Sequence, residues 1–262
     1  MRTPPVSLAA HALKVPAVTF GFWIVKIAAT TLGETGGDWV TMSLDFGYLA
    51  GSAIFALLFA GFVAAQVNAR RFHVALYWAT IVATTTLGTT LADFADRSVG
   101  LGYPGGVTIV SALLVASLAA WYLSRGSVSV GTVDTPRVEW FYWATILFSQ
   151  TLGTALGDWF ADDDRGGLGL GYETSTLIFG ALLLTLCALY RWTRLSRTLL
   201  FWLAFVLTRP LGATLGDFFD KPRAQGGLAF SRLDASLLLI AFIVAAVGLG
   251  ALAARRRVGR DA

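Results

Sequence analysis

Apolar stretches of about 20 residues recur along this chain between short polar segments, and about 20 helical residues is the length that crosses a hydrocarbon layer about 30 Å thick. Eight such stretches fit, near 17–38, 46–66, 74–94, 103–123, 140–160, 171–190, 199–219 and 233–253. The pattern predicts an all-α fold, a polytopic membrane bundle of eight transmembrane helices, making one membrane domain over 1–262. The first stretch runs on to full spanning length without a small-residue cleavage site, so it is expected to be a retained helix.

A finer period underlies the coarse one. The odd-numbered stretches each carry an aromatic residue followed by tryptophan: Phe22-Trp23, Tyr77-Trp78, Tyr142-Trp143 and Phe201-Trp202. Nine and ten positions after each Trp comes Leu-Gly, and fifteen after it an aspartate: Asp38, Asp93, Asp158 and Asp217. A small residue precedes each of these aspartates and an aromatic one follows it. Four ungapped matches define four tandem helical-hairpin repeats, approximately 15–68, 72–125, 137–192 and 198–254. Each unit holds an even number of spans, so all four motif helices run the same way and their aspartates share one depth.

At about 100° per residue, the positions ten and fourteen after each Trp form a small-xxx-small packing stripe. Roughly opposite lies a hydroxyl and carboxylate face: Thr31, Thr35 and Asp38; Thr86, Thr90 and Asp93; Thr151 and Asp158; Thr214 and Asp217. Carboxylates are costly toward lipid, so the four polar faces are expected to converge on a shared chamber, with Glu34 about one turn below Asp38. Glu34 stands where the other repeats carry Thr89, Thr154 and Ala213. Two basic residues fall within the spans, Lys26 and Arg209, and are expected to pair with these acids. The motif tryptophans are expected to anchor at the membrane interface, and Asp162-Asp163-Asp164 to form a solvated outer turn.

Composition narrows the function. With 56% apolar and 14% charged residues and a mean hydropathy of +0.67, a soluble globule is excluded. The net charge of +4 is dispersed in short clusters between spans, which argues against a nucleic-acid partner. Thirteen basic residues, including Arg70-Arg71 and Arg255-Arg256-Arg257, fall on one side of the predicted spans and five on the other, placing both termini in the cytoplasm. The single cysteine, Cys187, supports neither a disulfide framework nor thiolate metal chemistry. His11 and His73 lie in the expected cytoplasmic segments and read as solvated residues.

The passages Phe22-Trp23-Ile24-Val25-Lys26 with Thr30 to Thr35, and Leu207 to Thr214, resemble an uncharacterised bacterial membrane-anchored protein family built from four tandem two-helix repeats. The resemblance covers nearly the whole chain and implies the architecture without an activity. Function is read from the residues. The expected role is an inner-membrane transporter or permease for a small divalent cation, with Asp38, Asp93, Asp158, Asp217 and Glu34 as ligands and Thr31, Thr86 and Thr151 lining the site. An all-oxygen set of carboxylates and hydroxyls suits Mn²⁺, Mg²⁺ or Ca²⁺, and no resident cofactor is expected. Lys26 and Arg209 would neutralise acids in the empty state. The alternatives are a proton-coupled transporter of a small organic substrate and a non-transporting structural or sensory module. No spacing of catalytic residues points to an enzyme.

Overall fold

The computed structural model describes residues 14–258, the side chains of 253–258 excepted. His11, Arg2 and Arg260 lie outside the described residues, as do the side chains of Arg255 to Arg257. The described chain is all-α: α1 (Phe20–Asp38), α2 (Gly47–Asn68), α3 (Val74–Asp93), α4 (Gly102–Arg125), α5 (Pro136–Ala161), α6 (Tyr172–Trp192), α7 (Arg197–Asp220) and α8 (Arg232–Val258). Thr19 and Ser196 cap α1 and α7 by accepting backbone N–H bonds, and Pro136 opens α5 where its missing donor costs nothing. α7 continues through Pro210. The ends of α1 and α3 widen into π-helical turns, Trp39–Ser43 and Phe94–Ser98, directly after Asp38 and Asp93. α5 and α7 stay α-helical past the equivalent aspartates.

The four motif helices form a closed inner ring in which α1 packs on α3, α3 on α5, α5 on α7 and α7 back on α1. Outside it, α2 packs chiefly on α3, α4 on α5, α6 on α7, and α8 on α1. Each outer helix therefore covers the inner helix of the next repeat, and α8 closes the circle.

Glycine sets the spacing of the ring. At Gly33, Gly88, Gly153 and Gly212, ten positions after each Trp, a Cβ would collide with Thr85, Gln150, Arg209 and Thr30 respectively. Each of those is the residue seven after the Trp of the neighbouring inner helix, so one contact recurs around all four seams.

The tryptophans close the same circle at the opposite end of the helices from the aspartates. Ring centroids lie 5.5 Å apart for Phe22 and Trp78, 5.7 Å for Tyr77 and Trp143, 6.4 Å for Tyr142 and Trp202, and 5.7 Å for Phe201 and Trp23. The expectation of interfacial anchors is corrected here: Trp78, Trp143 and Trp202 are buried, and Trp202 Nε1 donates to the Val128 carbonyl at 2.9 Å. Edge-to-face contacts within each aromatic-Trp pair, joined by mostly tilted contacts between neighbouring pairs, pack these large side chains against one another.

Among the described residues, six helices are long and apolar enough to cross a membrane: α2, α3 with its π turn, α4, α6, α7 and α8. α1 and α5 fall short because Lys26, Glu34, Asp38, Glu139, Gln150 and Asp158 dilute their apolar content. Those side chains are all buried, so the dilution meets protein rather than the outer surface. The outer helices α2, α4, α6 and α8 bury only 17–22% of their apolar stretches and present the rest outward.

Candidate functional site

Successive turns of the inner helices stack side chains in layers about 6 Å apart along the ring axis. Above the aromatic layer, the seventh residues after the Trp are Thr30, Thr85, Gln150 and Arg209, and the eleventh are Glu34, Thr89, Thr154 and Ala213. Arg209 is fully buried and reaches across this space. Its Nη1 donates to the Thr30 carbonyl at 3.3 Å, while Nη2 donates to Glu34 Oε2 at 2.9 Å and to the hydroxyls of Thr89 and Thr154. One guanidinium thus ties α7 to α1, α3 and α5. A planar, five-donor head with permanent charge suits this position better than an ammonium would.

The aspartate layer follows. Asp38, Asp93, Asp158 and Asp217 are 1–3% exposed, as their repeat spacing predicts. Carboxylate oxygens of Glu34, Asp158 and Asp217 lie within 4.8 Å of one another, and so do those of Asp38, Asp217 and Asp220. Asp93 belongs to neither group. It sits 2.8 Å from Arg97 Nε, whose Nη2 stands 3.4 Å from Asp158 and 3.6 Å from Asp162.

A matching clasp lies across the ring, where Lys221 Nζ is 3.1 Å from Asp217 and 3.6 Å from Asp38. Arg232 adds contacts of 2.7 Å to Asp220 and 3.7 Å to Asp38. Burial by itself would strip the proton from Lys221, but the carboxylates of Asp217 and Asp38 outweigh it and hold the ammonium charged well above the ordinary lysine range.

Arg97, Lys221, Arg232 and Asp220 join the site from the connecting segments and helix ends, outside the polar faces that the repeat predicts. The sequence does carry a signal for two of them, since Asp93 to Arg97 and Asp217 to Lys221 are both four-residue acid-to-base steps. Asp162 is likewise drawn inward, accepting hydrogen bonds of 2.6 Å from Tyr103 and Tyr172, whereas Asp163 and Asp164 are exposed.

Other expected residues stand elsewhere. The hydroxyls of Thr31, Thr86 and Thr151 donate to carbonyls of their own helices, Ile27, Val82 and Leu147, at 2.9–3.0 Å. Thr35 turns outward to Ser236 of α8 at 2.9 Å, and Thr214 bonds the Pro210 carbonyl. The threonines that reach the axis are Thr89 and Thr154, about one helical step around from the face predicted.

Arg209 pairs with Glu34 as expected, but Lys26 has no acidic partner among the described residues. Its ammonium lies 3.4 Å from Gln150 Oε1 and 4.2 Å from the centre of the Phe205 ring. A buried ammonium so thinly satisfied carries a desolvation cost that its contacts do not offset. Lys26→Met is therefore expected to melt in detergent at the same temperature as the parent or higher; a fall of several degrees would show that the ammonium holds the fold. His73 is exposed just before α3 and faces no acid cluster.

Around the axis, seven carboxylates (Glu34, Asp38, Asp93, Asp158, Asp162, Asp217 and Asp220) meet four cationic side chains (Arg97, Arg209, Lys221 and Arg232). The formal excess of three negative charges and the oxygen-only donor set suit a hard cation. The surface depression lined by Ser124, Arg125, Ser127, Thr132 and Asp134 lies at the aromatic end, away from these acids.

No curated protein and no solved structure matches the chain. The family model described as Repeat of Unknown Function (DUF347) matches four times in tandem, over 21–72, 76–127, 141–196 and 200–256. These four matches take in each Trp-to-Asp motif with the outer helix that follows it, and the chain belongs to this repeat family.

Proposed function

We propose that this protein is an integral membrane transporter for a small divalent cation, spanning the bilayer eight times with both termini on the cytoplasmic side of a bacterial inner membrane. The observation that carries the reading is the meeting of Glu34, Asp158 and Asp217, from three different repeats, within 4.8 Å inside a bundle whose outer surface is apolar. α1 and α5 count as spans because they run parallel to α3 and α7 in one closed ring and match or exceed the membrane-spanning length of about 19–20 residues. Basic residues concentrated at the aromatic end support the orientation.

In this reading an arriving Mn²⁺, Mg²⁺ or Ca²⁺ competes with Arg209 for Glu34 and with Arg97 and Lys221 for Asp158 and Asp217. The aromatic layer closes the other end of the path until the inner helices part. Initial-rate uptake of radiolabelled Mn²⁺ into proteoliposomes is expected to fall about tenfold or more in Asp158→Asn and in Asp217→Asn, the scale set by loss of a supporting carboxylate at a metal site. Equal uptake in the parent and both variants rejects the reading. In that case the carboxylates are interhelical ties, a role that the Arg97 to Asp158 contact between α5 and the end of α3 already illustrates.

A further inference from the structure

The four repeats are equivalent in sequence at the aspartate but not in how their acids are satisfied. At the seam between the second and third repeats, three acids are taken: Asp93 lies 2.8 Å from Arg97, Asp158 accepts from Arg97 at 3.4 Å, and Asp162 accepts from two tyrosines at 2.6 Å. Asp96, three residues past Asp93, is buried without a donor, but it lies against Gly106 of α4 and joins neither carboxylate group. At the seam between the fourth and first repeats, the balance differs. Asp38 is 1% exposed, yet neither of its oxygens accepts a hydrogen bond, and its cationic neighbours stand off at 3.6 and 3.7 Å. Asp220 Oδ1 is also buried without a donor. Both residues belong to the group in which carboxylate oxygens of Asp38, Asp217 and Asp220 lie within 4.8 Å of one another.

We propose that Asp38, Asp217 and Asp220 form a second cation site, a loading site at the seam of the first and fourth repeats, from which the ion passes through the shared Asp217 to Glu34 and Asp158. The inference rests on the cation reading above and adds to it a location, a direction around the ring and a ligand, Asp220. The cations at 3.6 and 3.7 Å offset only part of the desolvation cost of Asp38, and Asp220 Oδ1 has no donor, so a hard cation supplies a partner that the seam lacks. Arg232 is the lid of this site: 23% exposed, it is the most solvent-accessible member of the seam and touches both Asp38 and Asp220. The second seam offers no counterpart, because Arg97 with Tyr103 and Tyr172 fills the coordination that an ion would need.

The site is read separately from the inner one by working in an Asp158→Asn background, which removes a ligand from the Glu34 group only. Mn²⁺ binding to the purified full chain in detergent is followed by loss of the free-ion paramagnetic resonance signal. Asp158→Asn is expected still to bind Mn²⁺. Asp158→Asn/Asp220→Asn is expected to bind at least tenfold more weakly, and Asp158→Asn/Arg232→Met several-fold more tightly, with exposed Asp164→Asn as a control that changes nothing. Equal affinity in the presence and absence of Asp220, or no Mn²⁺ bound by Asp158→Asn itself, overturns the loading site. If the Asp220 variant does not fold, the Arg232 variant decides: tighter binding supports the site and unchanged binding rejects it. Transport fails as a reading on the uptake measurement alone, so a seam that binds Mn²⁺ in a protein that moves none separates the two outcomes.

Discussion

Arg209→Met is expected to destabilise the bundle by about 3–5 kcal/mol, the scale for leaving one member of a buried ion pair alone. The residue is enclosed entirely, and its removal strands the Glu34 carboxylate and the Thr89 and Thr154 hydroxyls around an apolar side chain. Thermal unfolding followed by size-exclusion chromatography should show a melting point lowered by many degrees, or no monodisperse protein. Arg209→Met/Glu34→Gln should recover much of the loss, because it removes the uncompensated charge along with its partner. A double variant no better than the single one would mean that the guanidinium acts through its threonine and carbonyl contacts rather than through the ion pair.

Gly88→Val is the second large effect. A Cβ at Gly88 would sit 2.9 Å from the Gln150 carbonyl carbon and from the Thr151 nitrogen, which are backbone atoms that cannot rotate aside. Relief requires α3 and α5 to separate, and because the ring is closed, separation at one seam disturbs the other three. The cost is expected at about 3 kcal/mol or above, the upper range for forced overpacking. Gly61→Ala on α2, where nothing lies within 4 Å of the added carbon, should leave stability unchanged or raise it slightly through helix propensity. Normal folding of the valine variant would show that the inner helices are not held at glycine-limited distance.

Much of the architecture was legible because it repeats. The Trp, Leu-Gly and Asp positions lie at fixed offsets, so a single helical geometry had to serve four times, and the helix limits found differ from those predicted by only a few residues at most ends. The burial of all four aspartates followed from the same repetition. What the pattern did not encode was neighbour choice. An outer helix of uniform hydrophobicity carries no mark of which inner helix it will cover, so the hairpins predicted as packed units turn out to be offset by one.

The polar face was placed about one residue step from its true direction for a related reason. Threonine can satisfy its hydroxyl on its own helix, as Thr31, Thr86 and Thr151 do, so a threonine in a span does not report where a polar interior lies. Glu34, whose carboxylate has no such local outlet, marked the axis more faithfully, and its repeat equivalents Thr89 and Thr154 are the ones that meet Arg209. Arg97 and Lys221 lie just past the aspartates of their helices, where a basic residue reads equally as a topology signal and, by its four-residue spacing from Asp93 or Asp217, as a clasp.

The offset covering of the inner helices bears on assembly. During synthesis, α3, α5 and α7 each emerge just after the helix that will shield them, whereas α1 waits for α8. Between those two events Glu34 and Asp38 lack their finished surroundings, since Arg209, Lys221 and Arg232 all come from the last repeat. Until the last repeat is inserted, Glu34 and Asp38 are therefore acids without their cations, so the first repeat reaches its final electrostatic surroundings only when the fourth arrives.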